Sequence, residues 1–425
     1  MQGKRNIVLI TIDSLRADHC SFMGYYRKTT PTIDKMARTG LYFENAIAAS
    51  VPTMPSMMAC FTGEYTLNNA FDFTAENWRK EIASRKTLAQ VLQRKGYETV
   101  AFHTNPGLSS YYGFNKGFNY FHDFLKDEMI VALTTDSTIK RRFLSIKKIL
   151  KRESDCMPWE KYYGQIIQRV KELRKLRTPY FLWVLLLDTH TPYYPPRDFR
   201  KWSRANFFSL TWQFYRMGKR IGEPKVRNNL INAYDDCILY VDKFIEKISH
   251  DLEDDDPIFI IHADHGDGFG EHCFYSHNTP MLYEELIHVP LVIYNADVKG
   301  KVEEPVSLLG LAPTILELIG EENEFPSESF LHGGGDWVIS KVFDGSKWKI
   351  AVRTKEWKFI TGQKEKDELY YLKEDPYEQE NVINEHPDLA KEMRRIVEIH
   401  VKQETEKRRI RERISRLNVR AADNG

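Results

Sequence analysis

The sequence predicts an α/β protein: a large, mostly parallel sheet flanked by helices on both faces, with a smaller C-terminal antiparallel-sheet subdomain. Three observations carry this expectation. Apolar runs recur at 6–12, 180–188 and 257–264, and each reaches an aspartate at its end or directly after it. Helix-periodic segments separate the strand-like runs, which is the alternation expected of a parallel sheet. From about residue 325 the pattern changes to short alternating segments punctuated by turn residues, as in antiparallel hairpins.

In chain order, "NIVLITI" (6–12) is continuously apolar, as expected of a strand buried on both faces. "PTIDKMARTG" (31–40) places Ile33, Met36 and Ala37 at helical spacing and stops at Gly40. "LYFENAI" then reads as a strand. "TLAQVLQRKGYETVAFHTN" (87–105) repeats the motif of amphipathic helix, glycine stop and strand. Residues 125–175 are highly charged and read as a helical insertion with a solvated face. "NNLINAYDDCILYVDKFIEKIS" (228–249) is a long helix leading to the strand "PIFIIHAD". "AVRTKEWKFITG" and "DELYYLKEDP" suggest the small antiparallel sheet, and a helix follows from "HPDLAKEMRRIVEIH". The expected division is an α/β domain over 1–325, an α+β subdomain over 326–400 and a basic helical tail over 401–425.

Composition narrows the function classes. A formal net charge of +1 gives no global attraction for nucleic acid, and no such partner is expected. No apolar run approaches the roughly 20 residues of a membrane span. The N-terminal "MQGKRNIVLITIDSLRAD" has basic residues before an apolar run, but that run is β-branched and lacks a small-residue cleavage site. It reads as the first buried strand, and a cytoplasmic location is expected. Cys20, Cys60, Cys156, Cys237 and Cys273 are scattered without a CxxC pair, so neither a disulfide framework nor a thiolate zinc site is expected. Ile410, Ile414 and Leu417 lie at helical spacing in the basic tail, which is expected to be solvated or to pack against a neighbouring subunit as an oligomer contact.

In parallel sheets ligands bind beyond the carboxyl ends of the strands, where Asp13, Asp188 and Asp264 fall. "ADHGDGFGEH" (263–272) adds His265 to Asp264, a carboxylate–imidazole pair suited to a divalent metal, and a glycine-rich turn that admits close approach. The plain alternative for such a segment is a loop with a helix cap. "LLLDTHTPYYPP" (185–196) puts Asp188 and His190 on one side of an extended chain, and "YSHNTP" supplies His277 and Asn278. Convergence of these strand-end loops on one cleft is the economical reading.

With those motifs in view, the chain from about residue 5 to 390 resembles the sulfatase family of the alkaline phosphatase superfamily. "NIVLITIDSLRADHCSFMGYYRKTTPTIDKMARTGLYFENAIA" resembles the family's opening strand, metal aspartate and first helix. "DHGDGFGEH" with "LYEELIHVPLVIY" resembles its second metal motif, and "DTHTPYYPP" its substrate-binding histidine loop. "SLLGLAPTILELIG" and "AVRTKEWKFI…ELYYLKEDPYEQENV" resemble its closing helix and C-terminal subdomain. The resemblance implies that Asp13, Asp264 and His265 hold a divalent cation (Mn, Ca, Mg or Zn). It implies that His190 binds a non-bridging oxygen of the tetrahedral group and that His277 protonates the leaving oxygen. Asn105, in "HTNPGLSSYYGFNKGF", is implied as a substrate contact. Ser14 stands where the family often has a second acid. A zinc pair would require Asp188, His190 and His277 to hold a second ion.

The family's nucleophile motif, C/S-x-P-S-R, falls on Thr53, Met54, Pro55, Ser56 and Met57 in "SVPTMPSMMACFTG". Its first residue is normally oxidised to formylglycine. Threonine cannot give that aldehyde, because its β-carbon carries a methyl group, so no formylglycine is expected. A threonine hydroxyl beside a cation and a helix N-terminus can attack directly, as in threonine-nucleophile relatives of this fold, with Thr53 also a metal ligand. Thr53 is equally suited to be an N-cap, and the two roles are compatible. The expected activity is metal-dependent hydrolysis of sulfate or phosphate esters of small molecules or glycans. The threonine favours phosphodiester or phosphonate esters. The alternatives are a transferase that resolves the same covalent intermediate with an alcohol, and a non-catalytic binding protein of the same fold.

Overall fold

The computed structural model describes residues 4–67, 69–125, 157–204, 224–277, 279–345 and 347–423. Most of the expected helical insertion, together with Asn278 and Cys156, lies outside them.

Strand β1 (Ile7–Ile12) is the sheet's hydrophobic axis, with every residue buried. The other strands are β2 (Leu41–Phe43), β3 (Glu98–His103), β4 (Tyr120–Asp123), β5 (Tyr180–Leu186), β6 (Ile258–Ala263), β7 (Leu291–Tyr294) and β8 (Gly300–Val302). They line up as β8-β2-β7-β6-β1-β5-β3-β4. Only β7 runs against its neighbours β6 and β2, so the sheet is mostly parallel. The continuous apolar character of β1, β5 and β6 follows from cover on both faces. Their register matters for function. Ile12 is level with Leu186 on one side and Ala263 on the other, so three strands end together and release their loops at one edge.

Helix α1 (Pro31–Thr39) packs on α6 (Pro224–Asp251), whose Asp242 carboxylate accepts from Thr32 N and Ile33 N at the start of α1. This satisfies amide groups that a helix start leaves unpaired. Helix α2 (Thr53–Thr62) is buried along its whole length and packs against α4 (Leu88–Arg94) and α7 (Leu311–Leu318). Thr87 and Gln90 form a reciprocal capping box at the start of α4. Helices α3 (Ala75–Ala83) and α5 (Glu160–Leu176) complete the helical cover.

"LYFENAI" is two strands rather than one. After β2 the chain turns at Glu44-Asn45, and Ala46–Ile47 joins a separate small sheet with His288–Val289 and Val306–Ser307. The Asn45 amide, donating to Glu303 O, holds that change of sheet.

The C-terminal part is a four-stranded antiparallel meander: β9 (Trp337–Asp344), β10 (Lys347–Thr354), β11 (Trp357–Gly362) and β12 (Glu368–Tyr371). Ile339, Ile350, Val352, Phe359 and Leu369 form its core with Ala390, Met393 and Val397 of α8 (Pro387–Asp423). That helix runs unbroken through residue 400, because its interior contains neither glycine nor proline. A buried ion cluster docks this sheet on the main domain. Lys358, wholly buried, lies between Glu284 and Glu378.

Candidate active site

Asp13 leaves the end of β1, and Asp264 and His265 leave the end of β6. Ligand atoms of these three buried residues lie within 4.8 Å of one another. Thr53 enters from the first turn of α2, with Oγ1 3.0 Å from His265 Nε2. Two contacts fix the geometry. Ser56 Oγ, one turn along α2, donates to Asp264 O at 2.6 Å, which locks the helix onto the strand end. His265 Nδ1 lies 2.8 Å from Gly266 O, so Nδ1 carries the proton and Nε2 presents its lone pair to Thr53. The Thr53 hydroxyl therefore donates to His265 and caps no backbone amide. Gly266 is required here: a Cβ on it would come within 2.0 Å of Glu285 O.

Asp13 is held from several sides. Ser14 Oγ donates to Oδ1 at 2.7 Å and Asn105 Nδ2 to Oδ2 at 2.8 Å, while Thr189 Oγ1 donates to its backbone carbonyl at 2.6 Å. Asn105, expected to face the substrate, thus has its amide nitrogen on Asp13, and its Oδ1 accepts from Gly107 N. Asp264 Oδ1 accepts from the amides of Ser14 and His265, whereas Oδ2 is buried without a hydrogen-bond partner among the described residues.

The two carboxyls shift in opposite directions. Burial pushes Asp264 up to about 6, with the pull of His265 opposed by the charge of Asp13. Burial acts on Asp13 in the same sense, but His190, His265, His277 and the Ser14 hydrogen bond outweigh it and hold this carboxyl low. Burial lowers His265, and Asp264 and Asp13 more than reverse that. Burial and neighbouring His265 keep His277 below the usual imidazole range. An orphaned carboxylate oxygen, a second carboxylate and an imidazole lone pair fit a divalent cation. Asp13, Asp264 and His265 would hold it, with the Thr53 hydroxyl beside it.

His277 and His190 complete the ring of imidazoles. The His277 ring centroid lies 4.4 Å from that of His265 and 4.9 Å from that of His190. Asp188 does not join them. The chain turns at Leu187–His190, with His190 N donating to Leu187 O, so extended-chain alternation ends and the two side chains diverge. Asp188 faces Trp159 and Glu160 instead, where burial and the Glu160 charge push it up to about 8. Among the described residues the Asp13–Asp264–His265 group alone meets the geometry for an ion, which leaves the second zinc site without support. Ser14, Thr189, Tyr193 and Asp267 also belong to this network. Thr189 and Tyr193 carried no signal in sequence, because each acts on a carbonyl or carboxylate supplied by a different loop.

A mostly parallel α/β domain with carboxylates and imidazoles gathered at the strand ends is the architecture of metal-dependent ester hydrolases. The chain belongs to the sulfatase family: the family model described as Sulfatase matches residues 5–321. It is 24% identical to an arylsulfatase of Clostridium perfringens, over 90% of each chain. It is also 24% identical to the phosphoethanolamine transferase EptA of Helicobacter pylori, over 68% of this chain and 47% of that protein. In fold it is similar to the phosphonate monoester hydrolase of Agrobacterium radiobacter, with a TM-score of 0.69, 19% identity and coverage of 94% of this chain and 95% of that one. Among the described residues, no helix is long and apolar enough to cross a membrane.

Proposed function

We propose that the protein is a metal-dependent hydrolase of phosphodiester or phosphonate esters that works through a covalent Thr53 intermediate. The observation that carries this reading is the position of Thr53 Oγ1, 3.0 Å from His265 Nε2 beside the orphaned oxygen of Asp264. The place taken by the aldehyde-forming residue in the sulfatase motif thus has a hydroxyl aimed into the cation group. Met57, which replaces the motif's arginine, is wholly buried. A divalent ion bound there would lower the pKa of the Thr53 hydroxyl and offset charge on the tetrahedral group.

The chain's own groups then divide the work. Thr53, its hydroxyl proton released to solvent, forms the Oγ–phosphorus bond as the bond to the leaving oxygen breaks, and the start of α2 favours the negative charge. His190 orients a non-bridging oxygen. His277 gives a proton to the leaving oxygen and, in the second step, takes one from the water that cleaves the Thr53 ester. Sulfate esters present the same tetrahedral group, but a threonine sulfate lacks the aldehyde hydrate whose collapse eliminates sulfate by carbon–oxygen cleavage.

The test is a substrate panel. Wild type, with Mn, Mg, Ca or Zn supplied, should turn over a bis-aryl phosphodiester or an aryl phosphonate faster than an aryl sulfate, and Thr53→Ala should abolish this. Full activity in Thr53→Ala, or a preference for aryl sulfate, overturns the proposal. The relative named as a phosphoethanolamine transferase favours a second reading, in which an alcohol resolves the same intermediate. Formation of a new phosphodiester when glycerol is added identifies it.

A further inference from the structure

His277 does not stand alone. Its Nδ1 lies 3.2 Å from Asp267 Oδ1, and the other Asp267 oxygen accepts a short hydrogen bond from Tyr193 OH. All three side chains are buried: Asp267 0%, Tyr193 2% and His277 3% exposed. Ser14 Oγ is also 3.5 Å from Nδ1, but its proton goes to Asp13 Oδ1 at 2.7 Å. Asp267 is thus the acceptor for an Nδ1 proton, and Nε2 makes no hydrogen bond among the described residues. Tyr193 is itself clamped. Its ring packs against Tyr234 at 5.1 Å and Phe269 at 5.8 Å. It follows His190 by three residues, so one loop supplies both His190 and the support for Asp267. Arg16 Nη1 donates to Asp267 O at 3.1 Å and pins the backbone from behind.

Resting on the reading of His277 as the group that serves the leaving oxygen, we propose that Asp267, held by Tyr193, is a positioning residue for His277. It fixes the ring plane and keeps Nδ1 as the donor toward its own carboxylate, which leaves Nε2 as the nitrogen presented to the reacting group. No bond is made or broken at Asp267. Removing its carboxylate lets the ring rotate and exchange tautomers.

The experiment compares an aryl phosphodiester bearing phenol with one bearing dinitrophenol, which leaves without proton transfer. The variants are Asp267→Ala, Tyr193→Phe and His277→Ala. Asp267→Ala should lose about 10- to 100-fold in kcat/KM, which reports the steps up to departure of the leaving group, with the phenol ester and far less with the dinitrophenol ester. Tyr193→Phe should show the same selectivity at smaller size. Asp267→Ala added to His277→Ala should cost nothing further, because both act through one ring. At a pH where the ring is neutral, ¹⁵N shifts of His277 should report an Nδ1–H tautomer in wild type and a mixture in Asp267→Ala, whatever the activity. If Asp267→Ala slows both esters equally while His277→Ala is leaving-group selective, the positioning role is overturned and the His277 reading stands. If His277→Ala also slows both equally, the His277 reading fails and this proposal with it.

Discussion

Lys358 offers the sharpest stability test, because its surroundings set both the size and the pH dependence of the effect. Its ammonium is wholly buried, 3.1 Å from Glu284 Oε1 and 2.8 Å from Glu378 Oε1. Glu284 retains Arg353 at 3.3 Å when Lys358 is removed. Among the described residues the Glu378 carboxylate then retains only the amide of Glu284, which donates to Oε2 at 2.6 Å. Lys358→Met therefore strands one buried carboxylate, a loss of about 3–5 kcal/mol. Burial already pushes Glu378 up to about 7, against the pull of Lys358. Without the lysine it rises further. A carboxyl raised above its unfolded value stabilises the fold when protonated, and that contribution is lost as pH rises toward the folded pKa. The deficit should thus be smaller at pH 6 than at pH 8, by about 1–2 kcal/mol. Urea unfolding followed by tryptophan fluorescence at the two pH values measures it. Glu378→Gln in the Lys358→Met background should recover most of the loss. A deficit below about 1 kcal/mol, or no recovery by the second change, would show that Glu378 is not stranded by loss of Lys358. The cluster also bears on the site. Glu284–Ile287 follows the His277 loop, Leu286 O accepts from Gly266 N and Ile287 O from Ala48 N, so activity should fall alongside stability.

Ion binding and buried histidine supply two further tests. At a free Mn concentration about 100-fold above Kd, wild type should gain about 2.7 kcal/mol of stability, which chelator removes. Asp264→Asn should keep its fold and lose this gain in thermal unfolding, and an equal gain in both proteins contradicts the ligand set. His262, wholly buried between Thr11 and Ala263, is held down to about 4 by burial. The unfolded chain takes up a proton below about 6.5 while the native ring stays neutral. Stability should therefore fall by about 3 kcal/mol as pH drops from 6.5 to 4, and His262→Gln should flatten that slope. An unchanged slope in the variant sinks the assignment.

The strands were legible because burial on both faces forces continuous apolar runs, and the level ends of β1, β5 and β6 carried Asp13, His190 and the Asp264–His265 pair to one edge. The partners of those residues were not legible. Asn105 meets Asp13 across 92 positions, and nothing local in "HTNPG" indicates that its amide pairs with that carboxylate. The turn at Leu187–His190 depends on a backbone hydrogen bond that alternation rules do not include, which is why Asp188 was placed with His190. The docking of the C-terminal sheet rests on Lys358 and Glu284, 74 positions apart, and in sequence each is an ordinary surface charge.

Thr53 as carrier of the transferred group is open to direct observation. Wild type quenched with acid during turnover of a phosphodiester should show an added phosphoryl-ester mass, mapped to the peptide that contains Thr53 and absent from Thr53→Ala. An adduct on any other residue, or turnover with no mass added to that peptide under burst conditions, would rule Thr53 out as the nucleophile.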